Sequence, residues 1–127
     1  MKVVILAGGR GTRISEETSN KPKPMVLLDE NPIIWHIMNS FAVQNYKEFV
    51  VALGYRGEDI KRWLSELNTL RGDIRFNNKT KELMHIGENV ENDWDIHAIE
   101  TGLDTQTGGR ILQCLRKFPG ERLLVTY

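Results

Sequence analysis

Apolar runs and amphipathic stretches alternate along this chain. Val3-Val4-Ile5-Leu6-Ala7, closed by Gly8-Gly9, is a β-branched run that predicts a strand buried on both faces. A polar loop from Gly8 to Pro24 leads to the short apolar stretch Met25–Leu28. Asn31 then offers an N-cap, with Pro32 at the first helical position. Ile33, Ile34, Ile37, Met38, Phe41 and Ala42 keep helical spacing, and the helix is expected to fade near Gln44-Asn45. Phe49–Leu53 reads as a second buried strand closed by Gly54, and Ile60, Trp63, Leu64 and Leu67 mark an amphipathic helix.

The polar middle, Arg71 to Asp93, predicts short strands at Ile74–Phe76 and Leu83–Ile86. Trp94, Ile96 and Ala98 alternate as a strand running to about Thr101, followed by a Thr- and Gly-rich loop from Thr101 to Gly108. Ile111, Leu112, Leu115 and Phe118 give one helix face stopped by Pro119-Gly120, and Arg122–Tyr127 reads as a last strand. Strands alternating with helices imply right-handed crossovers and a three-layer, doubly wound, mostly parallel α/β sheet. The last strand has no following helix to cover it, so the expectation is a Rossmann-like sheet cut short after a central strand.

Composition narrows the classes. The chain has 127 residues, enough for one domain with a sizeable core. Lys plus Arg and Asp plus Glu are 17 each, and this balance argues against broad nucleic-acid binding. With one cysteine, Cys114, no disulfide framework is possible within the chain, which fits a reducing, cytoplasmic setting. The Val3–Ala7 run is too short for a signal core or a membrane span.

The chemistry concentrates in Leu6-Ala7-Gly8-Gly9-Arg10-Gly11-Thr12-Arg13 and the following Pro22-Lys23-Pro24. Glycines directly after a first strand let backbone amides approach a phosphate closely. Arg13 adds a planar fork of donors and Lys23 a compact point charge. Together they describe an anion site at the carboxyl end of a strand, where open α/β sheets bind ligands. A dinucleotide fingerprint starting at Gly9 needs glycine where Ile14 stands. A P-loop needs Gly-Lys-Ser/Thr, which occurs nowhere.

These residues resemble the signature of the sugar-phosphate nucleotidylyltransferases. Glu16-Glu17-Thr18, Lys21–Met25, Ile34–Met38, Gly54-Tyr55-Arg56-Gly57, Glu100-Thr101-Gly102 and Thr107-Gly108-Gly109-Arg110 are most similar to the glucose-1-phosphate cytidylyltransferase branch. The likeness runs from Met1 to Tyr127 and is weakest between Leu70 and Asp93. It implies that residues 1–127 are the N-terminal nucleotide-binding part of an enzyme joining CTP to a sugar 1-phosphate, with release of diphosphate. Such an enzyme would make a nucleotide sugar for surface polysaccharide. By resemblance, Leu6, Ala7 and the backbone from Gly8 to Thr12 cradle the triphosphate. Arg13 neutralises the phosphates and Lys23 bridges the α-phosphate and the incoming sugar phosphate. The loop from Thr105 to Arg110 holds base and ribose, where Gly108 and Gly109 let a flat base lie against the backbone and Arg110 donates to the acceptor edge of cytosine. Gly before a helix is also common with no ligand at all.

The resemblance further implies Mg2+, whose carboxylate belongs to a Gly-Asp-Gly expected after Tyr127; no metal ligand is assigned within the chain. The 127 residues alone are then at most a weak nucleotide binder, and the complete protein a homo-oligomer. Partners are CTP and a sugar 1-phosphate, not nucleic acid or membrane. Two other readings are an enzyme of the same kind for another base or sugar, and a catalytically silent nucleotide-binding module. A third is an interaction module whose unfinished sheet a partner completes. His36, His85 and His97 show no metal spacing. Trp35 and Trp63 read as packing, Trp94 as a strand residue, and Cys114 as a small buried residue. Glu16 and Glu17 either orient Arg13 or face solvent, and Lys79–Glu82 reads as a solvated loop.

Overall fold

The computed structural model describes residues 1–9, 22–67, 72–86, 91 and 93–127. In chain order these form β1 (Lys2–Ala7), a 3-10 turn (Lys23–Met25), β2 (Leu27–Leu28), β3 (Asn31–Pro32), α1 (Ile33–Ala42) and β4 (Glu48–Leu53). There follow α2 (Gly57–Leu67), β5 (Asp73–Asn77), β6 (Glu82–Ile86), β7 (Asp95–Glu100), α3 (Thr107–Lys117) and β8 (Leu123–Thr126). The main sheet runs β7-β4-β1-β8, all parallel, as the alternation of strand and helix predicts.

Register explains how the core divides. Val3 pairs with Phe49, Ile5 with Val51 and Ala7 with Leu53, so odd-numbered side chains of both central strands share one face. That face packs on Ile34 and Met38 of α1, Ile60 of α2, and Trp94. The even-numbered Val4, Val50 and Ala52 face the other way, onto Cys114 of α3. The result is three layers, helix–sheet–helix, with β1 and β4 buried on both sides. β8 lies against β1, Lys2 opposite Leu123 and Ile5 opposite Thr126.

Several expectations need local correction. Pro32 is not the first helical residue: β2 turns back through Asp29 (φ 54°) onto β3, and the extended Pro32 caps a helix beginning at Ile33. Trp94 lies just before β7, not within it, and packs edge-on to Phe49 with 5.7 Å between centroids. The predicted strands of the middle do form, yet among the described residues they pair only with each other, as an antiparallel hairpin outside the main sheet. Asn77 Oδ1 accepts from the Lys79 and Thr80 amides (3.0 and 3.3 Å) and so shapes its turn, whose residues 79–81 are exposed. α3 shows Leu112 and Leu115 half-exposed, because its buried stripe runs instead through Arg110, Cys114 and the partly buried Phe118. Spacing of i, i+4, i+8 selects that stripe; an apolar count alone missed a buried arginine within it.

Candidate nucleotide site

The site is built at the carboxyl ends of the parallel strands. β1 ends in Ala7, Gly8 is buried, and Gly9 is exposed at the rim. On the α3 side of this segment a 480 Å³ cavity is lined by Leu6, Gly8, Gly9, Thr105, Gln106, Thr107, Arg110 and Tyr127. On the α1 side a second cavity of 190 Å³ is lined by Ile5, Leu6, Ala7, Gly9, Lys23, Pro24, Ile33, Ile37 and Tyr127. The two share Leu6, Gly9 and Tyr127, so the glycine turn stands between a more polar recess, with Thr105, Gln106, Thr107 and Arg110 in its wall, and a mostly apolar one.

The polar recess receives the N-terminus of α3. Its cap residue Gln106 makes no side-chain capping bond and its first turn holds no acidic residue. The free amides and the positive end of the helix dipole therefore meet the cavity where Gln106 and Thr107 line it. Opposite, the exposed Lys23 follows buried Pro22 in the 3-10 turn, whose start the two prolines fix.

Arg110 lies beneath the turn and is 5% exposed. Its Nη1 donates to Thr101 Oγ1 (2.6 Å), Gly102 O (2.8 Å) and Leu53 O (3.3 Å). Its Nη2 donates to Gly8 O and Leu103 O, at 3.2 and 3.3 Å. Burial alone lowers its pKa, and no carboxylate pairs with it among the described residues. Thr101, also buried, donates from Oγ1 to Leu53 O at 2.7 Å, and Thr105 Oγ1 donates to Thr101 O.

The expected site residues thus divide. Leu6, Gly8, Gly9, Thr105 and Arg110 meet in the polar recess; Leu6, Ala7, Gly9 and Lys23 meet in the apolar one. Arg10, Gly11, Thr12 and Arg13 lie outside the described residues, as do Glu16 and Glu17. Gly108 and Gly109 belong to the first turn of α3, not to a loop, and neither lines either of these two cavities. A side chain at Gly109 would meet the Thr105 methyl at 2.9 Å, so its smallness makes room for Thr105. Gln106 and Thr107 enter the lining from the Thr105–Arg110 segment that the sequence assigns to base and ribose. Tyr127 enters both linings although the sequence marks it only as a strand residue.

A Mg2+ site does not follow from these linings. A hard divalent cation wants carboxylate or carbonyl oxygens, and neither cavity is lined by an Asp or Glu.

The nucleotidyl transferase family model matches residues 2–92, spanning β1, the glycine turn, Lys23 and β4. The chain belongs to that family. It is 40% identical over all 127 residues to a probable glucose-1-phosphate cytidylyltransferase of Bacillus subtilis, covering 49% of that protein. It is also 40% identical over 111 residues, 87% of the chain, to the glucose-1-phosphate cytidylyltransferase of Salmonella typhimurium, covering 43% of it. The chain therefore spans about half the length of the curated relatives it matches. A crystal structure of UDP-glucose pyrophosphorylase with UDP-glucose superposes on 98% of the chain with a TM-score of 0.70 at 17% identity, covering 43% of that protein. At that identity the likeness is one of fold, and it confirms the Rossmann-like α/β architecture, here less than half of the neighbour's chain.

Proposed function

We propose that this chain is the nucleotide-binding part of a glucose-1-phosphate cytidylyltransferase, which joins CTP and α-D-glucose 1-phosphate into CDP-glucose with loss of diphosphate. The observation that carries the reading is the pair of cavities flanking the glycine turn, one entered by a helix N-terminus and the other by Lys23. The relatives at 40% identity named for that activity supply the choice of cytidine and glucose.

The reaction brings a phosphate monoester against the α-phosphorus of a triphosphate, so fixed positive groups must offset the repulsion. In this reading Gly8, Gly9, Arg10, Gly11 and Thr12 offer backbone amides to the triphosphate. Arg13 pairs with phosphate oxygens, and Lys23 holds the α-phosphate and the sugar phosphate together. Thr105 and its neighbours Gln106 and Thr107 face base and ribose in the polar recess. Mg2+ would be the cofactor of the complete enzyme, and no residue of this chain is assigned to hold it. The setting is cytoplasmic, and the complete enzyme is a homo-oligomer supplying a nucleotide sugar for surface polysaccharide.

Calorimetric titration of the chain with CTP, UTP, dTTP and GTP, each with Mg2+, tests this. CTP should bind tightest, and Arg13→Ala should weaken it about 10- to 100-fold, the worth of a charge-assisted bond. Equal affinities for all four nucleotides would overturn the cytidine assignment, and binding by none would overturn the nucleotide site.

A further inference from the structure

Arg110 and Thr101 touch more of the main chain than any ligand role requires. The guanidinium reaches carbonyls just beyond the ends of β1 (Gly8) and β7 (Gly102, Leu103), and at the end of β4 (Leu53). It lies so close over two of these ends that a side chain added at either would have to displace it. A Cβ at Gly8 would stand 2.2 Å from Nη1, and one at Gly54 would stand 2.6 Å from the same atom. Gly8 O also accepts from the Tyr55 amide at 3.2 Å, so the turn after β1 is held to the turn after β4 by two donors. Thr101 completes the arrangement: its hydroxyl accepts from Nη1 and donates to Leu53 O, which fixes the guanidinium in plane and in depth.

The geometry points to Thr101 and Arg110 as a positioning pair. Thr101 orients Arg110, and Arg110 sets the Gly8–Gly9 turn at the angle from which its amides meet a polyphosphate. This rests on the nucleotide reading above, and adds Thr101, which makes no contact with either cavity. It also recasts Arg110 as a residue whose donors serve the backbone instead of the base. The position suits such a role. A guanidinium held among neutral carbonyls keeps its planar fork of donors at every pH of interest, and its charge lies directly under the turn. An ammonium, with three donors, could not replace the five bonds that the guanidinium makes at these strand ends.

Thr101→Val removes the hydroxyl while keeping shape, and Thr101→Ser restores it; Arg110 keeps Gly102 O as a partner in both. Two readouts are taken on the purified chain. In ligand-free protein, exchange of the Tyr55 amide, which donates to Gly8 O, should quicken about tenfold in Thr101→Val, the worth of one buried hydrogen bond. Phe76 and Leu83, in the separate β5–β6 hairpin, should stay at the wild-type rate. CTP affinity, measured on fully folded protein, should fall about tenfold in Thr101→Val and return in Thr101→Ser. Wild-type exchange at Tyr55, or equal quickening at Phe76 and Leu83, would overturn the pair. Wild-type CTP affinity in Thr101→Val would overturn its part in binding. Should wild-type protein bind no nucleotide, the nucleotide reading falls, and the exchange pattern alone still decides whether the pair holds the turn.

Discussion

At the scale of single residues, the two glycines that end β1 and β4 have different reasons to be glycine. The three atoms nearest a Cβ at Gly8 all belong to the Arg110 side chain. At Gly54 the neighbours also include the Gly8 backbone, its O at 2.7 Å and its Cα at 2.9 Å. Gly8→Ala must push a guanidinium off its carbonyls, whereas Gly54→Ala must push two strands apart. Each should cost about 1–3 kcal/mol in urea unfolding, as overpacking does. In an Arg110→Ala background most of the Gly8→Ala cost should vanish while that of Gly54→Ala persists. A double-mutant cycle showing both unchanged would refute this division. Cys114 is a simpler case. Its thiol is fully buried beneath the sheet, and burial pushes its pKa up, so the thiolate is scarce as well as shielded. An aromatic disulfide reagent should leave it unmodified in the folded chain and react at once in denaturant. Fast labelling of native protein would contradict the packing.

At the scale of elements, the strands were legible because β-branched runs closed by glycine have few other uses. β1, β4 and β8 each lie within a residue or two of where the apolar pattern puts them. Less legible was anything set by partners distant in sequence. The buried stripe of α3 includes Arg110 only because Thr101, Gly102 and Leu53 O wait for it. No periodicity of apolar residues announces a cation satisfied by carbonyls from three strands. In the same way, Asn31-Pro32 reads as a helix start until β2 folds back to pair with it. The candidate site shows the same split: the glycine turn and Lys23 stand out locally, whereas Tyr127 joins them only because β8 pairs with β1. The β5–β6 hairpin has no ladder to the main sheet and keeps Ile74, Phe76 and Ile86 exposed. A two-stranded ribbon with so little burial is marginal. Its amides, Phe76 and Leu83 among them, should exchange at least about 100-fold faster than those of Val4 and Val51, a gap of some 3 kcal/mol in local opening. Equal protection would show that the hairpin is held more firmly than its contacts imply.

At the scale of the whole molecule, the two cores share one pair of strands. Both helical layers press on that pair: Val3, Ile5, Phe49 and Val51 serve the α1 side, and Val4, Val50 and Ala52 serve the α3 side. Loosening either layer must disturb the ladder that the other needs, so the sheet and its helices should melt together. Ile34→Ala empties a fully buried position against Ile5 and its neighbours and should cost about 2–5 kcal/mol. Far-ultraviolet circular dichroism, which follows α1, α2 and α3, and tryptophan fluorescence, which follows Trp35, Trp63 and Trp94 on the α1 side, should move to the same lower midpoint. The site adds a second constraint. Ile34 lines neither cavity, and the glycine turn is held by Arg110 and Tyr55 from the ends of strands that remain paired until global unfolding. Below the new midpoint, CTP affinity per folded molecule should therefore match wild type. Two separate transitions would show that the layers fold independently. Lost affinity in a folded variant would show that the turn depends on α1 packing and not on the strand ends.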